Sequence, residues 1–357
     1  MKDSRYLPQR FFTFDNLTIR PLYMDVSIII INYRTTELIS NCLRSIYANT
    51  LHVNFEIIIV DNDPVHGGGD QIRAAFPQIR YIDMEYNSGF GRANNRGMQE
   101  AKGKYLLLLN ADTLIVDDVI ENCVKRMDKQ TDIIACSVPQ YNSQHKPMHF
   151  YKSFNEIRKT FFIIPPNGAL EKWIDRIYPE PVYTDPNQHD WLIGAFIFVR
   201  RKGYEATQGF DEDFFMYAED VEWSHRLSKF GKLYYFNDLK FIHLENENPF
   251  RRTNITWINR FSTQMQVSNM LWIRKQYGLI PYLFLILHYL IMIPVVYLWK
   301  VSQNLSQKKK PFLDLQTQHI FKRKTLVLLH YFWKTVFKNK FLFKITPSEN
   351  IDLLTKL

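Results

Sequence analysis

Four short apolar runs, each closed by polar side chains, constrain this chain more than any other feature. They are Val26–Ile31, Glu56–Val60, Ile79–Ile82 and Tyr105–Leu109. Three are followed by Asn32, Asp61-Asn62-Asp63 and Asn110-Ala111-Asp112. Continuous rather than alternating apolar character marks strands buried on both faces, and the segments between them carry helical periodicity. Leu38, Ile39, Cys42, Leu43 and Ile46, for example, follow a Thr35 or Thr36 suited to capping a helix. The pattern predicts a mostly parallel α/β sheet, with any ligand outside the carboxyl ends of its strands, where the polar residues recur.

Beyond about Pro139 the periodicity weakens through several prolines. It resumes at Trp191–Arg200, which reads as a buried strand. An acidic-aromatic block, Gly209–Trp223, then leads into a helix running to about Lys229. The Gly67-Gly68-Gly69 run lacks the Gly-Lys-Ser/Thr ending of a phosphate loop. Gly89 and Gly91 are followed by Asn94, so no dinucleotide fingerprint is present. Cys42, Cys123 and Cys136 are too few and too scattered for a disulfide framework or a metal cluster, and buried free thiols in a reducing compartment are expected.

Candidate chemistry lies at the strand ends. Asp112 can carry a divalent cation to a diphosphate, whose phosphates otherwise repel each other and the carboxylate. The same residue, or Thr113, can instead cap a following helix. Asp61 is either a partner for a base or ribose or a turn residue. Glu219-Asp220 can supply a general base, and acidic residues also favour helix N-termini. His243 can complete a metal site that has one strong carboxylate, or be structural.

Val26–Arg34, Val60-Asp61-Asn62, Asn87-Ser88-Gly89-Phe90, Leu109–Asp112, Trp191-x-x-Gly194-Ala195 and Gly209–Asp220 occur in that order. Together they resemble glycosyltransferase family 2, especially its rhamnosyltransferase-like members, over about residues 24–245. The resemblance implies a GT-A fold: a Rossmann-like mixed sheet flanked by helices, with a nucleotide-sugar half (24–138) and an acceptor half (139–250) behind an extension (1–23). It places Asn32, Arg34, Asp61, Asn87, Asn94, Asn110 and Asp112 on the nucleotide sugar. Trp191, Gly194 and Ala195 fall at the acceptor and sugar pocket, Asp220 with Glu219 at the catalytic position, and Asp112 and His243 on Mg²⁺ or Mn²⁺. Asn110 stands where the family pattern has a first Asp, which leaves one carboxylate fewer. The implied activity is inverting, metal-dependent transfer from a dTDP- or UDP-sugar to a lipid-linked saccharide in cell-surface polysaccharide synthesis. A membrane-attached scaffold with a degenerate transferase domain is the alternative.

Charge separates the last third from the rest. The chain's net charge of +9 over 357 residues divides into −5 up to Phe250 and +14 from Arg251 onward. Leu279–Trp299 carries no charge but contains Pro281 and Pro294, and the 12 Lys/Arg from Lys300 onward disfavour export of the tail. Gln318–Lys344 mixes Leu, Phe and Trp with basic residues, the pattern of an interfacial segment. Residues 251–357 are therefore expected to form a helical region in the plane of an anionic membrane, on the cytoplasmic face, rather than to bind nucleic acid.

Overall fold

A computed structural model describes residues 24–354, except 67, 166, 245–255 and 339. The expected division at residue 250 and the 1–23 extension lie outside the described residues. The strands are β1 (Val26–Asn32), β2 (Phe55–Asp61), β3 (Arg80–Asp83), β4 (Tyr105–Leu109), β5 (Thr113–Ile115), β6 (Ile133–Ser137), β7 (Gln140–Tyr141), β8 (Gln188–His189), β9 (Phe196–Arg200), β10 (Lys232–Tyr235) and β11 (Phe241–His243). Eight build one sheet in the order β3-β2-β1-β4-β9-β6-β10-β8, and β5-β11-β7 form a second.

Pairs β1–β2, β1–β4, β2–β3 and β6–β10 are parallel, whereas β9 runs antiparallel to both β4 and β6. The sheet is thus mixed, and β9 joins the two halves. Strands β1, β2 and β4 are mostly apolar because both faces are covered, whereas the edge strand β3 exposes Arg80 and Asp83. Ile28, Ile30, Leu107 and Leu109 pack under helices Thr36–Asn49 and Val119–Lys129, while Ile29, Leu106 and Leu108 face Ala93, Met98 and Trp223. The three cysteines are buried and free.

Two local expectations change. Trp191–Ile193 is not strand; regular pairing begins at Phe196. The N–H groups of Leu192, Ile193 and Gly194 donate to Ser224 Oγ, Tyr235 Oη and Asp220 Oδ2, leaving none for a ladder. Neither Asp112 nor Thr113 caps a helix. Thr113 enters β5, which pairs antiparallel with β11 in the register Thr113↔His243, and the next helix starts at Val119.

After β11 come helices Thr263–Tyr277, Leu279–Ser306, Gln316–His330 and Phe332–Val336. Pro281 sits in a first turn, where its missing N–H costs no hydrogen bond, so the long helix runs on, with Pro294 inside it. Its buried residues Tyr282, Leu285, Ile286, Tyr289, Met292 and Val296 lie on one face. They share a core with Phe161 and Phe162 and with Trp191, Ala218 and Val221.

Candidate active site

The carboxyl ends of β1 and β2 meet at Asp61, which is 1% exposed. Asn32 Nδ2 donates to Asp61 Oδ2 at 2.9 Å, the phenol of Tyr81 donates to the same oxygen, and Asp63 N–H donates to Oδ1 at 3.0 Å. Asn32 therefore aims Asp61 rather than projecting outward. Burial and the adjacent carboxylate push the Tyr81 phenol well above its ordinary range, so it stays a donor. Tyr81 has no signal in the sequence; only the β2–β3 pairing brings it here. Arg34 lies on the exposed rim in a left-handed conformation (φ +57°), paired with Asp63 and 3.2 Å from His66 Nδ1.

Asn62 fastens this edge to the next loop. Its Oδ1 accepts from Ser88 N and Oγ, and its Nδ2 donates to Asn87 Oδ1 and the Gly89 carbonyl. Gly89 (φ +89°) passes so close to the acidic-aromatic loop that a Cβ would lie 2.1 Å from the Phe215 carbonyl oxygen, which accepts from Phe90 N–H at 2.8 Å. No other residue type fits there. In the helix Phe90–Glu100, Asn94 is buried and donates to the Phe90 carbonyl, while Asn95 clamps both the N–H and C=O of Phe210. Asn94 thus holds backbone, and Asn87 Oδ1 accepts from Gly89 N–H as well as from Asn62.

The second cluster follows from the β5–β11 pairing. His243 Nε2 lies 3.2 Å from Asp112 Oδ1, and both residues are buried. On its other side His243 Nδ1 meets Gln140 Oε1 of β7 at 3.0 Å. With Nδ1–H donating to that amide oxygen, the Nε2 lone pair faces a carboxylate oxygen, and two electron-rich atoms so close call for a shared proton or cation. One carboxylate and one imidazole suit a divalent ion that accepts nitrogen, Mn²⁺ more readily than Mg²⁺. No group of three His, Cys, Asp or Glu that could hold a metal occurs among the described residues, so phosphate oxygens or water must complete such a shell.

The third cluster is the head of helix Glu219–Leu227. Tyr217 (φ +72°) and Ala218 (φ +64°) are consecutive left-handed residues without glycine, each costing about 1–3 kcal/mol. Strain of this kind persists where function fixes the backbone. It turns Asp220 so that Gly194 N–H donates to Oδ2 and Val221 N–H to Oδ1, each at 2.9 Å. Burial raises the Asp220 pKa, and these N–H groups oppose the rise. The Trp191 side chain lies within hydrogen-bonding reach of the Asp220 carboxylate and also opposes the rise.

At the next residue, immediately before β9, the Ala195 carbonyl accepts from Asn110 N–H at 3.1 Å. The Asn110-x-Asp112 segment and the Asp220 carboxylate therefore flank a single short backbone stretch, Gly194-Ala195. Asp61 closes β2 and Asn110–Asp112 follows β4, the two strands flanking β1, so these residues stand at the strand ends where a ligand is expected.

Glu219 is 4% exposed, its Oε2 has no hydrogen bond, and burial with the neighbouring Asp220 pushes its pKa up to about 8. A buried carboxyl raised above its ordinary 4.5 keeps its proton on folding, so stability should fall as pH rises from about 4.5 to 8. Melting temperatures across that window should decline in the wild type and decline less in Glu219→Gln. Equal slopes would show that Glu219 ionises freely.

The C-terminal segment also reaches the site, which nothing local in the sequence announces. Phe343 N–H donates to the Asp213 carbonyl at 2.8 Å, and Lys275 bridges the carboxylates of Asp211 and Asp213. Lys344 Nζ donates to the Asn87 carbonyl at 3.3 Å and lies 4.6 Å over the Phe215 ring.

Comparison with known proteins decides what these clusters belong to. Residues 27–207, just over half of the chain, match the family model described as glycosyl transferase family 2. The chain belongs to that family. It is a glycosyltransferase acting on nucleotide sugars. The chain is 26% identical over 242 residues to the rhamnosyltransferase WbbL of Escherichia coli (strain K12), covering 64% of this chain and 87% of that protein. It is 27% identical to the uncharacterized glycosyltransferase EpsJ of Bacillus subtilis (strain 168), over 65% of this chain and 64% of that one. Among solved structures, the mannosyltransferase PcManGT from Pyrobaculum calidifontis, in complex with GDP-Man and Mn²⁺, superposes with a TM-score of 0.51 at 14% identity, covering 89% of each chain. At that identity the likeness concerns the GT-A fold, which the mixed sheet shares. The family 2 membership and the rhamnosyltransferase relative bear out the resemblance read from the six ordered motifs.

Proposed function

We propose that the chain transfers a sugar, rhamnose in the first instance, from a dTDP- or UDP-sugar to a hydroxyl of a lipid-linked saccharide, with inversion at the anomeric carbon. The observation that carries this reading is the Gly194-Ala195 stretch, which holds Asp220 on one side and the Asn110–Asp112 segment on the other. Asp61, aimed by Asn32 and Tyr81, takes the nucleoside, with Arg34 at its rim. Asp220 accepts the acceptor hydroxyl's proton as that oxygen attacks the anomeric carbon and the bond to the diphosphate breaks. Its two backbone N–H donors fix both carboxylate oxygens, so the base is oriented before substrate arrives. Asp112 and His243 would hold Mn²⁺ or Mg²⁺, which when bound neutralises charge on the leaving diphosphate. Trp191, beside the Asp220 carboxylate, borders the acceptor sugar. Incubating the protein with labelled dTDP-rhamnose and UDP-sugars, with lipid-linked saccharide and Mn²⁺, should release nucleoside diphosphate and label the lipid fraction. Release from none of these donors would leave the scaffold reading.

The membrane part rests on the long helix Leu279–Ser306, whose length permits a span. One face is buried against Thr263–Tyr277 and Gln316–His330, which carry Arg274, Lys275 and Lys322–Lys324. A perpendicular span would drag those charges into hydrocarbon at about 2.5–3.5 kcal/mol each for those near its centre. The opposite face exposes Ile280, Leu283, Phe284, Leu287, Ile291 and Leu298, and Trp333 and Phe337 are also exposed. Lys308–Lys310, Lys322 and Arg323 are exposed as well. The region thus suits lying in the plane of an anionic leaflet, on the cytoplasmic side. Not all of the +14 is available to lipid: Lys275 and Lys324 are committed to internal carboxylates. Flotation with vesicles containing phosphatidylglycerol should recover the protein, and Leu283→Asp/Leu287→Asp should release most of it. Equal recovery of both would remove the helix from the membrane.

A further inference from the structure

A cavity of about 240 Å³ opens between the acceptor half and the long helix, away from the catalytic carboxylates. Phe162, Tyr178, Pro281, Leu285 and the exposed Ile280 and Phe284 form its apolar walls. Its one charged lining residue is Arg158. The Arg158 guanidinium is sandwiched between the rings of Tyr178, 4.4 Å away, and Tyr277, 3.9 Å away. Its Nη1 makes a long 3.4 Å contact with Asn155 Oδ1, the guanidinium lies within hydrogen-bonding reach of the Tyr277 phenol, and no carboxylate forms an ion pair with it among the described residues. The neighbouring Lys159, by contrast, is paired with both Asp175 and Glu180.

An arginine stacked between two aromatic faces is fixed in orientation, and with five N–H donors and no carboxylate partner it keeps donors for a phosphate. Around it the cavity offers no other charge, so a free, fully hydrated anion gains little there. An amphiphile gains twice, from the cation and from the apolar walls. Those walls are continuous with the exposed apolar face of Leu279–Ser306, so a chain can pass from cavity to membrane without crossing water. The volume admits a single chain segment rather than the two acyl chains of a phospholipid. The cavity also backs onto the acceptor side: Phe161 on its wall packs on Trp272, which touches Phe154, which touches His225 of the helix headed by Asp220.

We infer that this cavity seats the phosphate and first chain segment of a single-chain lipid phosphate, the membrane anchor of the acceptor. The inference rests on the lipid-linked acceptor proposed above and adds the site and the residue, Arg158, that recognise its anchor.

Calorimetric titration of the full chain with decyl phosphate, below its micelle concentration, tests it. Saturable binding is expected, at least tenfold tighter than that of decanol, with no binding of inorganic phosphate at the same concentrations. Arg158→Gln should lower decyl phosphate to the affinity of decanol, and the surface change Phe284→Asp should weaken both. Vesicles of dioleoyl phosphatidylglycerol should not displace decyl phosphate. Equal affinity for decyl phosphate and decanol, unchanged binding by both variants, or displacement by phosphatidylglycerol would overturn the inference. Binding of dTDP or UDP with Mn²⁺ to the same preparations separates the two readings. Retained nucleotide binding without decyl phosphate binding rejects only the cavity, whereas lost nucleotide binding in the wild type rejects the enzymatic site.

Discussion

Asp220→Asn should lower turnover by about 10²–10⁴-fold, the usual worth of a positioned general base, while leaving donor affinity nearly unchanged. The amide keeps the size of the side chain and can still accept from Gly194 N–H, so the strained turn at Tyr217-Ala218 is retained. What is lost is the ability to take a proton. Burial raises the basicity of Asp220 above that of an ordinary aspartate, so the penalty should lie toward the upper part of that range. Nucleoside diphosphate release under saturating donor and acceptor measures it. Near wild-type release from Asp220→Asn would move the base elsewhere.

Much of the nucleotide half was legible because its determinants are local. A buried parallel strand writes itself as an apolar run, and its carboxyl end as the polar residues that follow, so Asp61 and Asp112 could be placed from the sequence. The failures have equally definite causes. Trp191–Ile193 has the composition of a strand, yet three successive N–H groups are taken by side chains from residues 26 to 42 positions away. That loss of ladder bonds is what frees Gly194 to hold Asp220. Tyr81 and Gln140 aim Asp61 and His243 only through strand pairing, and neither carries a local signature. Asn32, Asn87 and Asn94, expected at the nucleotide sugar, also hold Asp61, Asn62 and nearby backbone, links that only the folded chain reveals. The basic tail was read as lipid-facing throughout. Its docking onto Asp211 and Asp213, which buries Lys275, depends on tertiary contacts that charge counting does not register.

Asp112→Ala should abolish the dependence of nucleotide binding on the divalent ion. With Asp112 and His243 the proposed cation ligands among the described residues, cation affinity should be low alone and rise when a diphosphate supplies further oxygens. Mn²⁺ and nucleoside diphosphate must then tighten each other's binding by the same factor. Removing Asp112 leaves a lone imidazole, and the coupling should fall to about one. His243→Ala should remove most of it. Gln140→Leu, which only frees the imidazole, should cost about 10–100-fold in metal affinity. Calorimetric titration of dTDP and UDP into the wild-type protein, with and without Mn²⁺, is the most direct measurement of whether these strand ends form a nucleotide-sugar site. At least one nucleotide binding tenfold or more tighter with Mn²⁺, and losing that gain in Asp112→Ala, is the expected result. Binding of neither nucleotide, or a Mn²⁺ effect that survives in Asp112→Ala, would contradict it.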